Sequence, residues 1–307
     1  MNRFKYITRA YRQARRIGFD DSSKIILFSD CHRGDGSWAD DFSGNQNLYF
    51  AALTYYYKNN YTYLEIGDGD ELWKNKKISD IMSVHSDAFW QLDRFDQEGR
   101  LYLLYGNHDK VKKSSSASCG FYQYYDEQQK KKIVLMPKIR FNESVVLTHR
   151  VSQKQIFLLH GHQADGFNDD WWKLGRFLVR HVWKPLEMIG IKDPTSTAKN
   201  HQKKEAVEKW LEEWAERYQI ITIAGHTHRP VFPQPGESLY FNDGCCVHPR
   251  CITGIEIAGG KIQLIKWSVR TKQDGTMYVG RDILEGPAVV DEYYNFRKDS
   301  RTDACRG

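Results

Sequence analysis

Seven side chains able to hold a divalent cation stand in five short clusters along the sequence: Asp30 and His32, Asp68, Asn107, His160, and His226 with His228. One more imidazole, His108, follows Asn107 directly. Carboxylate, amide and imidazole donors suit borderline divalent metals such as Mn, Fe, Zn or Co. Thiolate is absent from the set apart from Cys31, so a cysteine-type structural zinc site is not expected. A single cation takes about four to six ligands, and this inventory exceeds that. Two cations sharing a carboxylate account for it better, and Asp68 is the natural bridge, since it has two oxygens and sits between the other ligand loops. Two metals about 3.5–4 Å apart would clamp a phosphate and activate a bridging water as hydroxide. Their charge would stabilise in-line attack on phosphorus.

Each cluster closes a short apolar run. Residues 24–29 (KIILFS) end in Asp30, 61–66 (YTYLEI) in Gly67-Asp68, and 101–105 (LYLLY) in Gly106-Asn107-His108. Residues 155–159 (QIFLL) end in His160, and 220–224 (IITIA) in Gly225-His226. These runs are strand-length and rich in β-branched and aromatic residues. Helical patterns at 47–58 and 80–98 separate the first strands, and that alternation predicts an α/β core. Ligands at the carboxyl ends of strands fall where the loops of an open α/β sheet converge. After residue 230 the pattern turns all-β, and Gly259-Gly260 between two alternating runs predicts a hairpin. Residues 165–218 read as a helical, Trp-rich insertion between two motif-bearing strands. Residues 1–20 read as a basic arm or helix ahead of a domain spanning 21–296, and 297–307 as a short mobile tail.

Taken in order, Asp30-Cys-His32, Gly67-Asp68, Gly106-Asn107-His108-Asp109, His160 and Gly225-His226-Thr227-His228 resemble the five-block signature of calcineurin-like metallophosphoesterases. The blocks span 30–228, about two thirds of the chain, and their order carries the specificity. The resemblance implies an α/β sandwich of four layers, two packed mixed β-sheets flanked by helices, with an inserted helical cap. It implies that Asp30, His32, Asp68 and His228 hold one metal, and that Asp68, Asn107, His160 and His226 hold the other. It gives His108 the part of electrostatic stabiliser and general acid, with Asp109 orienting its imidazole. Gly67-Asp68-Gly-Asp70-Glu-Leu72-Trp73 and His160-Gly161-His162 are similar to blocks of a bacterial branch related to UDP-2,3-diacylglucosamine diphosphatase. His162 stands where that branch carries Asp. The run Arg33-Gly34-Asp35-Gly36 looks like a related branch instead. By analogy with the cap of that group, Lys199, Asn200 and Lys203, with Arg33 and Asp35, are expected to reach substrate. The cofactor expected is a pair of divalent ions, manganese first, with Fe, Zn or Co as the alternatives. The expected substrate is a small phosphate ester or nucleotide-linked molecule cleaved at a phosphodiester or pyrophosphate bond. A nuclease or cyclic-nucleotide phosphodiesterase is the competing reading, and a non-catalytic binding scaffold the remoter one.

Composition narrows the setting. The 307 residues carry a net charge of +6, and Arg3, Lys5, Arg9, Arg12, Arg15 and Arg16 match that whole excess. The balanced remainder argues against a general nucleic-acid surface, and no sequence-specific nucleic acid is expected as a partner. No apolar run is long enough to span a bilayer. Six irregularly spaced cysteines without an export signal suggest reduced thiols in the cytoplasm. The basic, Trp-rich stretch 171–189 has three open readings: a cap over the site, packing on the core, or peripheral contact with the inner membrane face. His160 is expected as the ligand rather than His162. His85, His181 and His201 read as surface or helix residues, His149 and His248 as structural, and Cys245-Cys246 as buried packing.

Overall fold

The computed structural model describes residues 4–114, 120–165, 177–188 and 200–295. Its strands, in chain order, are β1 (Arg15–Phe19), β2 (Lys24–Phe28), β3 (Thr62–Ile66), β4 (Leu101–Leu104), β5 (Gln123–Asp126), β6 (Lys131–Val134) and β7 (Phe141–Asn142). They continue as β8 (Ser144–His149), β9 (Gln155–Leu159), β10 (Ile221–Ala224), β11 (Tyr240–Asn242), β12 (Cys251–Ala258), β13 (Lys261–Thr271) and β14 (Met277–Val289). The helices are α1 (Lys5–Gln13), α2 (Gln46–Lys58), α3 (Ile78–Val84), α4 (Ser86–Gln97), α5 (Lys184–Met188), α6 (His201–Tyr218) and α7 (Glu292–Asn295).

Two sheets face each other. One has the order β14-β13-β12-β2-β3-β4-β7 and the other β1-β8-β9-β10-β11. Both are mixed: β2, β3, β4 and β7 run parallel, while β12, β13 and β14 run antiparallel. In the second sheet β9, β10 and β11 run parallel, and β8 is antiparallel to β9. Strands buried on both faces read as continuous apolar runs, which is why KIILF and QIFLL show no clean alternation. Ile25, Leu27, Leu64 and Ile66 meet Val145, Leu147, Ile156, Leu158 and Ile223 between the sheets. The opposite faces are covered by helices. Ile26, Phe28 and Tyr63 pack under α2 and α4, and Val146, Phe157 and Leu159 pack under α1 and α6. The four-layer sandwich expected from the motifs is the fold observed.

Several expected boundaries move. Residues 1–20 are not a separate arm, because α1 buries Ile7 and Ala10 in the outer core and β1 pairs in parallel with β8 along its whole length. The charges lie on the exposed side of an amphipathic helix whose apolar stripe is short, and that stripe is easily overlooked beside them. The helical pattern at 80–98 divides into α3 and α4 at His85. His85 is fully buried rather than on the surface, with Nε2 2.9 Å from Asp40 and Nδ1 3.1 Å from Gln46. The insertion 165–218 is not wholly a cap. Its last helix, α6, buries Val207, Leu211, Trp214 and Ala215 against the β8–β9–β10 face as the crossover between two parallel strands. Residues 177–188 form a separate helical stretch with a π turn over Val179–Trp183. The remaining parts of the insertion, including Lys199, and the tail 297–307 lie outside the described residues. Among the described residues no helix is long and apolar enough to cross a membrane.

Candidate metal centre

The five ligand loops leave the carboxyl ends of β2, β3, β4, β9 and β10, three from one sheet and two from the other. The backbone there departs from ordinary strand geometry. Asp30, His32, Asp68, His226 and His228 all have positive φ, between 48° and 69°. Each such conformation costs on the order of 1–3 kcal/mol in a non-glycine residue and persists only where the surroundings hold it. Here they do: Asp30 N donates to Gly67 O at 3.0 Å, His32 N to Asp68 O at 2.8 Å, and Gly225 N to His160 O at 3.0 Å. Two glycines make the approach possible. A Cβ on Gly67, whose φ is 104°, would lie 2.5 Å from His160 Nδ1, and one on Gly106 would collide with the Asp68 carboxylate. Only glycine fits before these ligands.

Among the described residues three groups have ligand atoms within 4.8 Å of one another: Asp30, His32 and His228, then Asp68, His160 and His226, and at the edge His32, Glu71 and His108; the first two hold six of the seven expected ligands. Asp30 Oδ1 is 3.0 Å from His228 Nε2, 3.6 Å from His32 Nε2 and 3.9 Å from His160 Nε2. Asp68 Oδ2 is 3.2 Å from His160 Nε2 and 3.8 Å from His32 Nε2. The other oxygen of each carboxylate is anchored: Asp30 Oδ2 accepts from His226 N and Ser29 Oγ, and Asp68 Oδ1 accepts from His108 N. Behind Ser29, burial pushes the Asp243 carboxyl well above its ordinary value. The Ser29 hydroxyl donates toward Asp30 Oδ2 at 2.6 Å and toward Asp243 Oδ1 at 2.7 Å, and so ties the two carboxyl groups together. His160 donates Nδ1–H to Ile66 O at 3.1 Å, which fixes its tautomer and turns Nε2 into the site. His162, two residues on, is buried but belongs to none of these groups.

These groups fit cations on two counts. Asn107 Oδ1 and His226 Nε2 are buried and make no hydrogen bond among the described residues, a state that is costly unless another partner is supplied. Burial opposes charge on His160, yet the Asp68 and Asp30 carboxylates outweigh it and push the imidazole up to about 9. Burial likewise opposes ionisation of Asp68, but His160 and His108 beside it hold the carboxyl well below its usual range. The cradle therefore favours positive charge at its centre.

His108 stands at the rim. Its Nδ1 lies 2.9 Å from Glu71, whose carboxylate also receives His32 Nδ1 at 3.0 Å. Trp73 stacks on its ring at 4.3 Å with the planes 20° apart. The expected partner, Asp109, points elsewhere. Its oxygens accept from Gly106 N at 2.7 Å, Gly69 N at 3.2 Å and Lys112 Nζ at 2.6 Å, so it braces the two loops instead of orienting His108. Glu71 takes the orienting part. It lies within the Gly67–Trp73 block, but nothing in one sequence distinguishes its carboxylate from that of Asp70 next to it.

The expected substrate contacts divide. Arg33 is fully buried, donating to Glu65 at 2.7 and 2.8 Å and to Asp70 at 2.8 Å, so it cannot reach a substrate. Asp35 is half-buried and pairs with Lys184 of the 177–188 helix at 2.6 Å. Asn200 caps α6, accepting from Lys203 N at 3.2 Å, and Lys203 is exposed on the first turn of that helix. Of the other flagged residues, His149 pairs with Asp21 at 3.3 Å, and Cys31, Cys245, Cys246 and Cys251 are free thiols.

The calcineurin-like phosphoesterase family model matches residues 23–230, which include every ligand loop. No curated protein matches the sequence. Among solved structures, Chaetomium thermophilum Vps29 is similar at 11% identity and a TM-score of 0.40, with 87% of this chain and 97% of that one covered. The same protein complexed with the RaPID-derived cyclic peptide RT-D3 is similar at 10% identity and a TM-score of 0.34, with 86% and 96% covered. At these scores nothing about the function of this chain follows from either.

Proposed function

Since this chain belongs to the calcineurin-like phosphoesterase family, we propose that it hydrolyses a phosphodiester or pyrophosphate bond in a small, nucleotide-linked molecule with the help of two divalent cations. The observation that carries the reading is the pair of converging groups, Asp30/His32/His228 and Asp68/His160/His226, together with the buried, unpaired Oδ1 of Asn107 on the loop after β4. Asp68 Oδ2 lies 3.2 Å from His160 Nε2 and 3.8 Å from His32 Nε2, so this carboxylate faces both groups and would serve both cations. Bound there, two cations would polarise the phosphoryl oxygens and lower the pKa of an attacking water. A mixed carboxylate, amide and imidazole set without thiolate suits manganese, iron, zinc or cobalt, and manganese is the first ion to test.

The chain's own residues do the rest. Glu71 takes Nδ1–H of His108, which leaves Nε2 of that ring to face the departing oxygen as general acid. Trp73 covers one face of the ring and fixes its plane. The same Glu71 receives Nδ1–H of His32, so one carboxylate sets both a metal ligand and the acid.

Metal-stripped protein reloaded with Mn2+ is expected to bind close to two ions per chain and to turn over diesters or nucleotide pyrophosphates. Asp68→Ala is expected to lose metal and activity together. A panel of phosphomonoesters, diesters, cyclic nucleotides, UDP-sugars and nucleic acids identifies the substrate class. Fewer than one ion per chain with no turnover on any of them would overturn the reading.

A further inference from the structure

Two cations of the helical stretch 177–188, Arg180 and Lys184, bond to the turn that follows Glu71. Arg180 Nε donates to Trp73 O at 3.0 Å, and its terminal nitrogen donates to Leu72 O at 2.8 Å and Asn75 O at 3.1 Å. Lys184 Nζ reaches Asp35 Oδ2 and Asn75 Oδ1, both at 2.6 Å. A guanidinium carries several donors in a rigid fork, so one Arg180 side chain holds three carbonyls of a single turn in fixed relation. That turn follows Glu71 and contains Trp73. Glu71 Oε1 in turn accepts from Trp73 N and Lys74 N at 3.2 Å each. The turn's two working side chains, Glu71 and Trp73, hold the edge and the face of the His108 ring.

We propose that Arg180 is a positioning residue for His108: by clamping residues 72–75 it holds Trp73 and Glu71 in the places that aim the imidazole at the leaving group. The inference rests on the reading of His108 as general acid. Water bonds through its oxygen to phosphorus and gives up a proton to solvent, the P–O bond to the leaving group breaks with its electron pair going to the leaving oxygen, and His108 supplies the proton to that oxygen and is reprotonated from solvent. Without the clamp the turn's carbonyls are left to water, Trp73 slides on the ring, and the proton is delivered from a poorly aimed nitrogen. The helical stretch then acts on the chemistry through the turn 72–75, and a substrate that displaces it would slow proton delivery.

Leaving-group dependence tests this. Methyl aryl phosphate diesters are assayed with the Mn-loaded full chain, comparing p-nitrophenol, which departs without a proton, with phenol, which needs one. General acids contribute typically 10²–10⁴-fold, so Arg180→Met is expected to lower kcat for the phenyl ester at least tenfold more than for the p-nitrophenyl ester. Arg180→Lys, which keeps one cationic donor, is expected to restore part of the difference. The ratio of the two rates within one preparation does not depend on how much of it is folded. A ratio unchanged from the wild type, with both rates reduced equally or only KM raised, overturns the proposal. Wild-type protein that binds manganese yet turns over neither these esters nor any member of the substrate panel overturns the underlying catalytic reading instead.

Discussion

At the scale of single residues, one carboxylate serves two imidazoles: Glu71 accepts from His32 Nδ1 at 3.0 Å and from His108 Nδ1 at 2.9 Å. Asp30, His32, Asp68, Asn107, His160, His226 and His228 are marked by donor chemistry and by their place after apolar runs. The roles of Glu71, Asp109 and Arg33 depend on which side of a turn a carboxylate or guanidinium leaves the backbone, and one sequence does not carry that information. Three adjacent acids, Asp68, Asp70 and Glu71, meet three fates: the metal cradle, the Arg33–Lys112 ion network, and the two imidazoles. Glu71→Gln keeps the shape but removes the charge that steadies an imidazolium. It is expected to retain close to two bound metals and to lose turnover by about 10²-fold or more on substrates with poor leaving groups. Metal content and kcat measured on the same sample check this, and full activity in the variant would refute the assignment of Glu71.

At the scale of elements, the five strands that carry the expected ligands lie within a residue of the apolar runs that mark them, while β1 falls inside the stretch read as a basic arm and the helices differ where a partner decides their role. A single buried imidazole, bonded to Asp40 and Gln46, separates α3 from α4, and the periodicity of 80–98 does not register it. Burial raises the Asp40 carboxyl, but the hydrogen bond to His85 and the N–H groups of Gly36 and Phe42 outweigh it and hold the carboxyl below its ordinary value. A depressed folded value contributes stability above the unfolded pKa and loses it as pH falls through the folded one. The stability advantage of wild type over Asp40→Asn is therefore expected at neutral pH and to shrink below roughly pH 4, the ordinary carboxyl range. Urea midpoints at pH 7, 4 and 3 read it directly. Helix α6 belongs to the sandwich: Trp214 is fully buried, with its ring centroid 5.1 Å from that of Phe157 and its Nε1 donating to Thr8. Trp214→Ala is expected to cost about 3–5 kcal/mol and, below its melting temperature, to leave the metal count unchanged. Thermal melts and metal analysis together separate this from a cap role, in which stability would hold and substrate binding would weaken.

At the scale of the whole molecule, the site exists because two sheets face each other with their ligand-bearing ends aligned. Neither sheet holds a full set: Asp30, His32, Asp68 and Asn107 come from one, His160, His226 and His228 from the other. Anything that loosens the sandwich should then loosen metal binding. Removing residues 1–20 deletes β1 from its sheet edge and α1 from the outer core, uncovering Val146 and Phe157. The truncated chain is expected to melt several degrees lower or to aggregate, whereas a detachable arm would leave the melt unchanged. Added Mn2+ should raise the melting temperature of the full chain, and should go on raising it with the logarithm of the free ion concentration after the site is filled.

By itself the sequence determined the layered α/β class, the order of the strands that carry chemistry, and the donor set, because apolar runs and ligand types are local properties. Only the tertiary structure decided which carboxylate serves His108, that Arg33 is sealed inside, that the first twenty residues are part of the sandwich, and that α6 is a core helix. Each of those depends on contacts between residues tens to hundreds of positions apart, and local pattern holds no record of such meetings.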